Sequence, residues 1–302
     1  FGVVLITTKK GAKNQPTQFN YSTNLTSSSA TSLPEKASPL EFIQALKDFG
    51  NTTYWTGQNV DTWLGLLQEY QSNPTKYPEG ITTVNGTRYA LKEYDMYNEV
   101  FEKGFEQLHN LSVSGGSEKI AYRLSGMFTN EDGIMASDKD SYKKYNLNSY
   151  VSAEIARNLN ISGNILYRND ARRTPMNMGE MFYRAISHGS FINTGFDIGM
   201  DGTEVPYGTP NNYLKYEEPS VLKRDDLRLF GKLEYSPIKG LNVTGEYTFN
   251  KNHDNDTYYQ VRHKYMNPNN YTEEYLFNNE YYQRTNYTTQ YNALNLYASY
   301  NH

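Results

Sequence analysis

Cysteine, long hydrophobic runs and a strong excess of one charge are all missing from this chain of 302 residues. Without cysteine no disulfide forms, which suits a bacterial envelope protein and also many cytosolic proteins. No apolar run approaches the roughly 20 residues of a transmembrane helix. The net charge of -4 gives no reason to expect nucleic acid as a partner. The mean hydropathy of -0.78 does not exclude a membrane protein built of β-strands, because alternate residues of such strands face lipid and a polar lumen.

Motifs of catalysis are missing as well. The sequence contains no Gly-x-Ser-x-Gly, no glycine-rich phosphate loop and no His-Glu-x-x-His. Its five histidines are scattered, and His253 with His263 has no convincing third ligand. The sequence therefore predicts no enzyme, no metal site and no cofactor.

The first residue is Phe1 rather than Met, and no charged segment followed by an apolar signal sequence comes after it. The last residues, 297–302, have the pattern of a strand that is still running. We interpret the chain as an internal piece of a longer protein, with its targeting signals elsewhere.

Tyrosine is the residue in excess, with 29 copies beside 13 phenylalanines and two tryptophans. A tyrosine ring places its apolar body in lipid and its hydroxyl among the headgroups. A soluble β-sandwich or a surface carbohydrate-binding module accommodates the same composition, so composition alone leaves these alternatives open.

Residues 109–126 have the pattern of a β-hairpin. Leu111 and Val113 before the Gly115-Gly116 turn alternate with polar residues, as do Ile120, Tyr122 and Leu124 after it. The same alternation recurs along the chain and predicts eight strands. Beyond this hairpin, the apolar positions are Phe19, Tyr21, Thr23 and Leu25; Tyr145, Leu147, Val151, Ala153 and Ile155; Leu159, Ile161, Gly163, Ile165 and Tyr167; Leu227, Leu229, Gly231, Leu233 and Tyr235; Leu241, Val243, Gly245, Tyr247 and Phe249; and Leu294, Leu296, Ala298 and Tyr300.

The connections between these strands alternate in length. Residues 115–119, 156–158 and 236–240 are short, whereas 26–104, 129–144, 169–225 and 250–286 are long. A soluble sandwich has the same residue alternation with its apolar face inward, but short turns and long loops in strict succession are typical of an outer-membrane barrel. In a barrel the charged residues of the polar parity line the lumen; they are Arg123, Glu154, Arg168, Lys232, Glu234 and Glu246.

The first long loop contains two predicted helices. Ser38-Pro39-Leu40-Glu41 has the pattern of a capping box, and Gly50 closes that helix. Asp61 is the expected N-cap of the second, which carries Trp63 on its apolar side together with Leu64, Leu67 and Tyr70, and which ends at Asn73-Pro74. Both helices are expected to pack on a structural core.

Several segments resemble SusC/RagA-like TonB-dependent outer-membrane transporters. Residues 2–11 resemble the segment that ends the plug domain and leads into the first barrel strand. Residues 107–119 resemble the second strand and its turn, 130–134 the following loop, and 142–148 the next strand entry. Lys144 stands where arginine is commoner in the family, and Asp95-Met96 where Asp-Trp is usual. The resemblance implies an all-β fold, a transmembrane antiparallel barrel of 22 strands with long, partly helical extracellular loops. It divides the chain into the end of the plug (1–13) and the N-terminal part of the barrel (14–302).

The family resemblance also implies a function in the bacterial outer membrane. It implies energy-coupled import of nutrients, oligosaccharides above all, with a SusD-like surface lipoprotein as lid and with the TonB complex bound through segments outside this chain. A peptide importer of the same family is the alternative substrate class, and a soluble all-β carbohydrate-binding module is the alternative fold. Sugar rings stack on aromatic planes, so Trp55 and Trp63 are the candidate ligand contacts, against structural roles for both.

Overall fold

The computed structural model describes residues 9–55 and 57–301. The predicted plug end, residues 1–13, therefore lies largely outside the described residues and stays a prediction. Numbered in chain order, the strands are β1 (Gln15–Ser28), β2 (Thr53–Tyr54), β3 (Gln58–Asn59), β4 (Ile81–Val84), β5 (Thr87–Ala90), β6 (Gly104–Gly116), β7 (Ile120–Asp132), β8 (Ser141–Ala156), β9 (Leu159–Thr174), β10 (Phe196–Ile198), β11 (Glu204–Pro206), β12 (Ser220–Tyr235), β13 (Leu241–Gln260), β14 (Lys264–Met266), β15 (Glu273–Tyr275) and β16 (Tyr281–Tyr300). The helices are α1 (Pro39–Asp48), α2 (Val60–Ser72), α3 (Met96–Val100), α4 (Met178–Ser187) and α5 (Pro210–Tyr216), with a 3₁₀ turn at Pro74–Lys76.

Eight long strands form one antiparallel sheet in the order β1-β6-β7-β8-β9-β12-β13-β16. Each pairs with the next long strand along the chain, so the sheet is a simple meander. These are the eight strands that the alternation predicts, and the all-β class is confirmed. Strands β1 and β16 are the two edges of this sheet and do not pair with each other within the described residues, so closure into a barrel and the count of 22 stay predictions.

Several strands are longer than their alternation indicates. Tyr142 pairs with Glu131 and with Arg172, although the alternation places all three in loops. Toward the ends of the strands that meet the long connections, both faces of the sheet are polar. The alternation therefore ends there, although the strands still pair. The connection expected over 129–144 accordingly shrinks to residues 133–140.

The register confirms that the apolar positions share one face. Directly opposed residues of neighbouring strands point to the same side of a sheet. One such row runs through Tyr122, Val151, Gly163, Gly231 and Tyr247. The predicted luminal charges fall on the opposite parity, where Lys232 is the cross-strand partner of Glu246.

Three short turns lie at one end of the sheet and four longer connections at the other. The turns occupy residues 117–119, 157–158 and 236–240. In the last of these Gly240 has a φ of +84°, and a Cβ atom on it would lie 2.3 Å from the carbonyl oxygen of Asn301. Both facts require glycine at this position.

Helix α1 forms as the sequence predicts. Ser38 accepts the backbone N–H of Glu41, and the Glu41 carboxylate accepts the N–H of Ser38 at 2.9 Å. Gly50 follows the helix with a φ of +80°. The expected N-cap of α2 is wrong, because Asn59 rather than Asp61 accepts the N–H of Thr62, at 2.9 Å.

Asp61 lies within the first turn of α2, where its carboxylate forms an ion pair with Lys47 of α1 at 2.9 Å. The Asp61 carboxylate is thus directed to α1 and does not cap α2. The C-terminal end of α2 agrees with the sequence, since Asn73 is its C-cap and Pro74 follows.

The main hydrophobic core lies among the long connections and not on the sheet. Its buried members come from residues 43–100, 135, 181–192, 213–214 and 265. The connections 29–103, 133–140, 175–219 and 261–280 therefore fold together over the upper end of the sheet, and we call them the loop assembly. Within the described residues, no helix is both long and apolar enough to cross a membrane.

Candidate ligand-binding loop assembly

Trp63 lies at the centre of the loop assembly and is 2% exposed. Its ring packs edge-to-face against Phe191 and Tyr54, with centroids 5.1 and 5.7 Å away. Its indole N–H donates to the Ala90 carbonyl at 2.7 Å. The indole is thus covered on its faces and satisfied at its polar edge, and a ligand reaches it only if the core opens.

Trp55 lies at the tip of the β2–β3 hairpin and is 73% exposed. Its φ of +37° is rare for a bulky residue and costs roughly 1–3 kcal/mol, so the surrounding structure must enforce it. Tyr54, the next residue inward, packs on Phe191 and fixes the base of the hairpin. The structure does not bring the two tryptophans into one site, and ligand contact stays a prediction for both.

Hydrogen bonds tie the first and third long connections together. The Glu99 carboxylate accepts from the Thr194 hydroxyl at 2.6 Å and from the Asn211 amide at 2.7 Å. The Asn212 amide donates to the carbonyls of Thr194 and Tyr207 at 3.0 and 2.8 Å. The Glu99 contacts join residues about a hundred positions apart, whereas those of Asn212 brace the third connection internally. No periodic pattern in the sequence marks either set.

A second link joins three connections around Glu217. The Tyr265 hydroxyl donates to the Glu217 carboxyl at 2.6 Å, and the Lys139 ammonium donates to the Glu217 carbonyl at 2.6 Å. Burial raises the pKa of Glu217 above its ordinary value, against the opposing effect of the Tyr265 hydrogen bond. Burial also raises the pKa of Tyr265, which keeps this phenol a neutral donor. The link therefore holds the second, third and fourth connections in one arrangement.

His188 is a buried titratable group in the same assembly. Burial lowers its pKa to about 4, and the positive charges of Arg184 and Lys36 act in the same direction. The Lys36 ammonium donates to the His188 carbonyl at 2.9 Å, and burial lowers the pKa of Lys36 to about 8. His188 is consequently neutral at pH 7.

A cleft of about 520 Å³ opens between these connections. Carboxylates, ammonium groups and aromatic rings line it together, which allows hydrogen bonding, ion pairing and stacking with one ligand. Sequence reasoning missed these residues, because they come from three separate connections. They are Glu99, Asp138, Lys139, Thr194, Phe196, Asn211, Lys215 and Tyr216, among others.

The polar face of the sheet carries a second depression, of about 510 Å³. It is rich in asparagine and contains charges of both signs. Arg168, one of its lining residues, forms an ion pair with the neighbouring Asp170 at 2.6 Å. Its lining side chains include Asn110, Asn146, Asn148, Arg168, Asp226, Arg228 and Asn250.

The sheet and its loops resemble solved structures of a peptide importer. The "closed-closed" state of the RagAB peptide importer matches with a TM-score of 0.61 and 20% identity, over 88% of this chain and 31% of that one. A structure of the RagAB peptide transporter gives 0.60 and 18% over 88% and 31%, and the importer's "open-open" state gives 0.60 and 17% over 95% and 33%. This chain has the fold of one part of a RagAB chain. The resemblance to SusC/RagA-like transporters is thereby confirmed at the level of the fold.

The chain spans about a third of the length of the RagAB chains that it matches. No known protein family and no curated protein matches its sequence.

Proposed function

We propose that this chain is a segment of an energy-coupled nutrient importer of the bacterial outer membrane. In this proposal residues 1–13 end the plug, and residues 14–302 belong to a 22-strand barrel that the plug blocks at rest. One observation carries the proposal: a meander with one apolar and one polar face has short turns at one end and a packed loop assembly at the other. The role is transport rather than catalysis.

The outward face supports a position in lipid. A luminal charge such as Arg123 would cost about 2–4 kcal/mol if it faced lipid at mid-depth. At the upper edge of the apolar rows an aromatic series crosses four strands through Tyr21, His109, Phe128 and Tyr145, with successive centroids 6.1, 6.4 and 5.0 Å apart. Such rings are typical of a membrane interface. This series accordingly marks the outer headgroup layer.

The loop assembly then faces the cell exterior and offers contacts for a SusD-like lipoprotein lid. The β10–β11 hairpin exposes Phe196, Ile198 and Met200, and Met200 is 91% exposed. The ion pair of Arg88 with Asp197, at 2.7 Å, anchors this hairpin. Crosslinks from residues 29–103 and 175–219 to a co-purifying lipoprotein are expected in intact outer membranes, and their absence would argue against a lid on these loops. Binding of the TonB complex belongs to segments outside this chain.

Oligosaccharides are the proposed substrate class. The exposed Trp55 indole supplies a stacking plane, and the asparagine-rich polar face supplies amides that hydrogen-bond hydroxyl groups. Peptides are the second candidate. The cleft brings Glu99 and Asp138 near Lys139 and Lys215, which suits a ligand with charged ends, and the RagAB chains of similar fold belong to a peptide importer.

Binding of two pools to the full-length protein tests the substrate class. The purified protein is equilibrated with a mixture of neutral oligosaccharides and a mixture of short peptides, and bound molecules are identified by mass spectrometry. If the protein retains oligosaccharides and Trp55→Ala weakens that retention, oligosaccharides are supported as the substrate class. Retention of peptides alone, with weakening by Lys215→Gln, would replace it with the second.

A further inference from the structure

The outward face of the sheet contains an apolar groove of about 570 Å³. Large apolar side chains form its walls, and the backbone at Gly231 forms its floor. An added Cβ atom at Gly231 would meet no heavy atom within 4 Å, so strand packing does not demand glycine there. The principal lining residues are Val151, Ile161, Gly231, Leu233, Tyr247 and Leu294.

Two basic residues lie in the turns directly below this groove. Arg157 connects β8 to β9, Lys239 connects β12 to β13, and both are exposed. Within residues 9–55 and 57–301, neither forms an ion pair. The nearby carboxylates are on the opposite face, where Glu154 pairs with Lys13 at 2.9 Å and Glu234 pairs with Lys232 at 2.8 Å. The outer rim below the groove is therefore positively charged.

The distance between these cations and the groove fits one molecule. Gly163 is the cross-strand partner of Gly231 at the groove, and Leu159 is the first residue of β9 after the turn that contains Arg157. The two residues are four positions apart along β9. That separation is about 13 Å along the strand and about 10 Å in depth at a tilt near 40°. The hydrocarbon of one leaflet is about 15 Å deep, so the groove lies in hydrocarbon while Arg157 and Lys239 lie among headgroups.

We propose that this surface binds an anionic phospholipid of the periplasmic leaflet, with an acyl chain in the groove and the phosphate at Arg157 and Lys239. The inference rests on the proposed outer-membrane function, which places the short turns in the periplasm. An apolar groove supplies contact area, and the two cations select a negative headgroup over a zwitterionic one. The phospholipid stabilises the β8 to β16 part of the barrel wall.

Native mass spectrometry of the full-length protein tests the site. The protein is extracted from outer membranes in mild detergent and given equal amounts of phosphatidylglycerol and phosphatidylethanolamine with identical acyl chains. Gly231→Val fills the groove, displaces about two methylene groups and should lower retained lipid on the order of tenfold. Arg157→Gln with Lys239→Gln should lower the preference for phosphatidylglycerol by about fivefold per charge, with both lipids still retained.

Matched variants show whether these effects are local. Gly126 pairs with Leu147 and so lies on the same face, but it does not line the groove. A Cβ atom on Gly126 would meet its nearest neighbour at 4.0 Å, so Gly126→Val adds the same side chain without a clash. Lys119→Gln removes a cation from the turn between β6 and β7, which do not line the groove. Both should retain lipid as the unmodified protein does. Equal losses in either control, or no retained phosphatidylglycerol in the unmodified protein, would overturn the inference. Absence of the protein from the outer-membrane fraction would instead refute the proposed function.

Discussion

Arginine substitutions on the two faces of β8 and β9 should differ in a way that depends on depth. Outward apolar residues on β9 run from Leu159 to Tyr167, eight residues apart. At about 3.3 Å per residue this is about 26 Å along the strand, or about 20 Å in depth at a 40° tilt. Gly163 is the midpoint, and Val151 is its cross-strand partner. Ile161 lies two residues lower, which is about 5 Å from the middle of this band.

These depths set the expected magnitudes. Val151→Arg should reduce the free energy of unfolding by about 2–4 kcal/mol, because it places a charge at mid-depth in lipid. Ile161→Arg should cost about 2 kcal/mol, since the penalty falls toward the interface. Asn160→Arg should be neutral within about 0.5 kcal/mol, because its cross-strand partners Glu154 and Glu234 are luminal carboxylates.

Asn164→Arg is also expected to be milder than the outward substitutions, but it is a less clean control. The Asn164 amide donates to the Asn148 side chain at 2.7 Å and to the Ser149 carbonyl at 2.9 Å. Losing these two hydrogen bonds costs about 1 kcal/mol each, whichever face is luminal.

Urea unfolding of the full-length protein in phosphatidylcholine vesicles measures these differences, with the folded fraction read from gel mobility before and after heating. The order Val151→Arg, then Ile161→Arg, then Asn160→Arg is expected from the most to the least destabilising. A cost for Asn160→Arg equal to or above that for Val151→Arg would show that the facing is reversed.

Four further substitutions test the loop assembly. Trp63→Ala should destabilise the loop assembly by about 3–5 kcal/mol and speed amide exchange in α2. Trp55→Ala should change the stability of the loop assembly by less than about 0.5 kcal/mol, and should weaken binding of a ligand that stacks on the indole by about fivefold. His188 has a pKa of about 4 in the fold against an ordinary value of 6.5, so the unfolded assembly binds more protons between these pH values. Stability should therefore fall by about 3 kcal/mol as the pH drops from 6.5 to 4, and His188→Gln should remove that slope in pH-dependent amide exchange. Ser38→Ala removes the capping box of α1 and should cost about 1 kcal/mol, seen as faster exchange in that helix alone.

The sequence predicts the part of the sheet next to the short turns well, because one face is apolar and the other polar there, as the proposed lipid and lumen would require. Beyond the aromatic series both faces are polar, so the alternation ends although β13 continues to Gln260. The loop core is harder to anticipate. Its contacts, such as Glu99 with Thr194, join distant segments that carry no common pattern.

Two local features of the loops had signals in the sequence. Asn85-Gly86 lies between β4 and β5 with φ values of +50° and +82°, which is the Asn-Gly hairpin turn that its two residues favour. Pro210 begins α5 directly after Thr209, as is common at the first position of a helix. The N-cap of α2 is ambiguous in the sequence because Asn59 and Asp61 both suit that position. Only the fold distinguishes them, since Asn59 accepts the N–H of Thr62 whereas Asp61 pairs with Lys47 of α1.

Uptake by living cells tests the central claim most directly. A labelled ligand retained by the purified full-length protein is supplied to cells that carry the gene, to cells that lack it, and to cells treated with a protonophore. Energy-coupled import predicts that only untreated cells with the gene accumulate the label in the periplasm, while treated cells still bind it at the surface. Equal accumulation without the gene, or with the protonophore, would contradict this account.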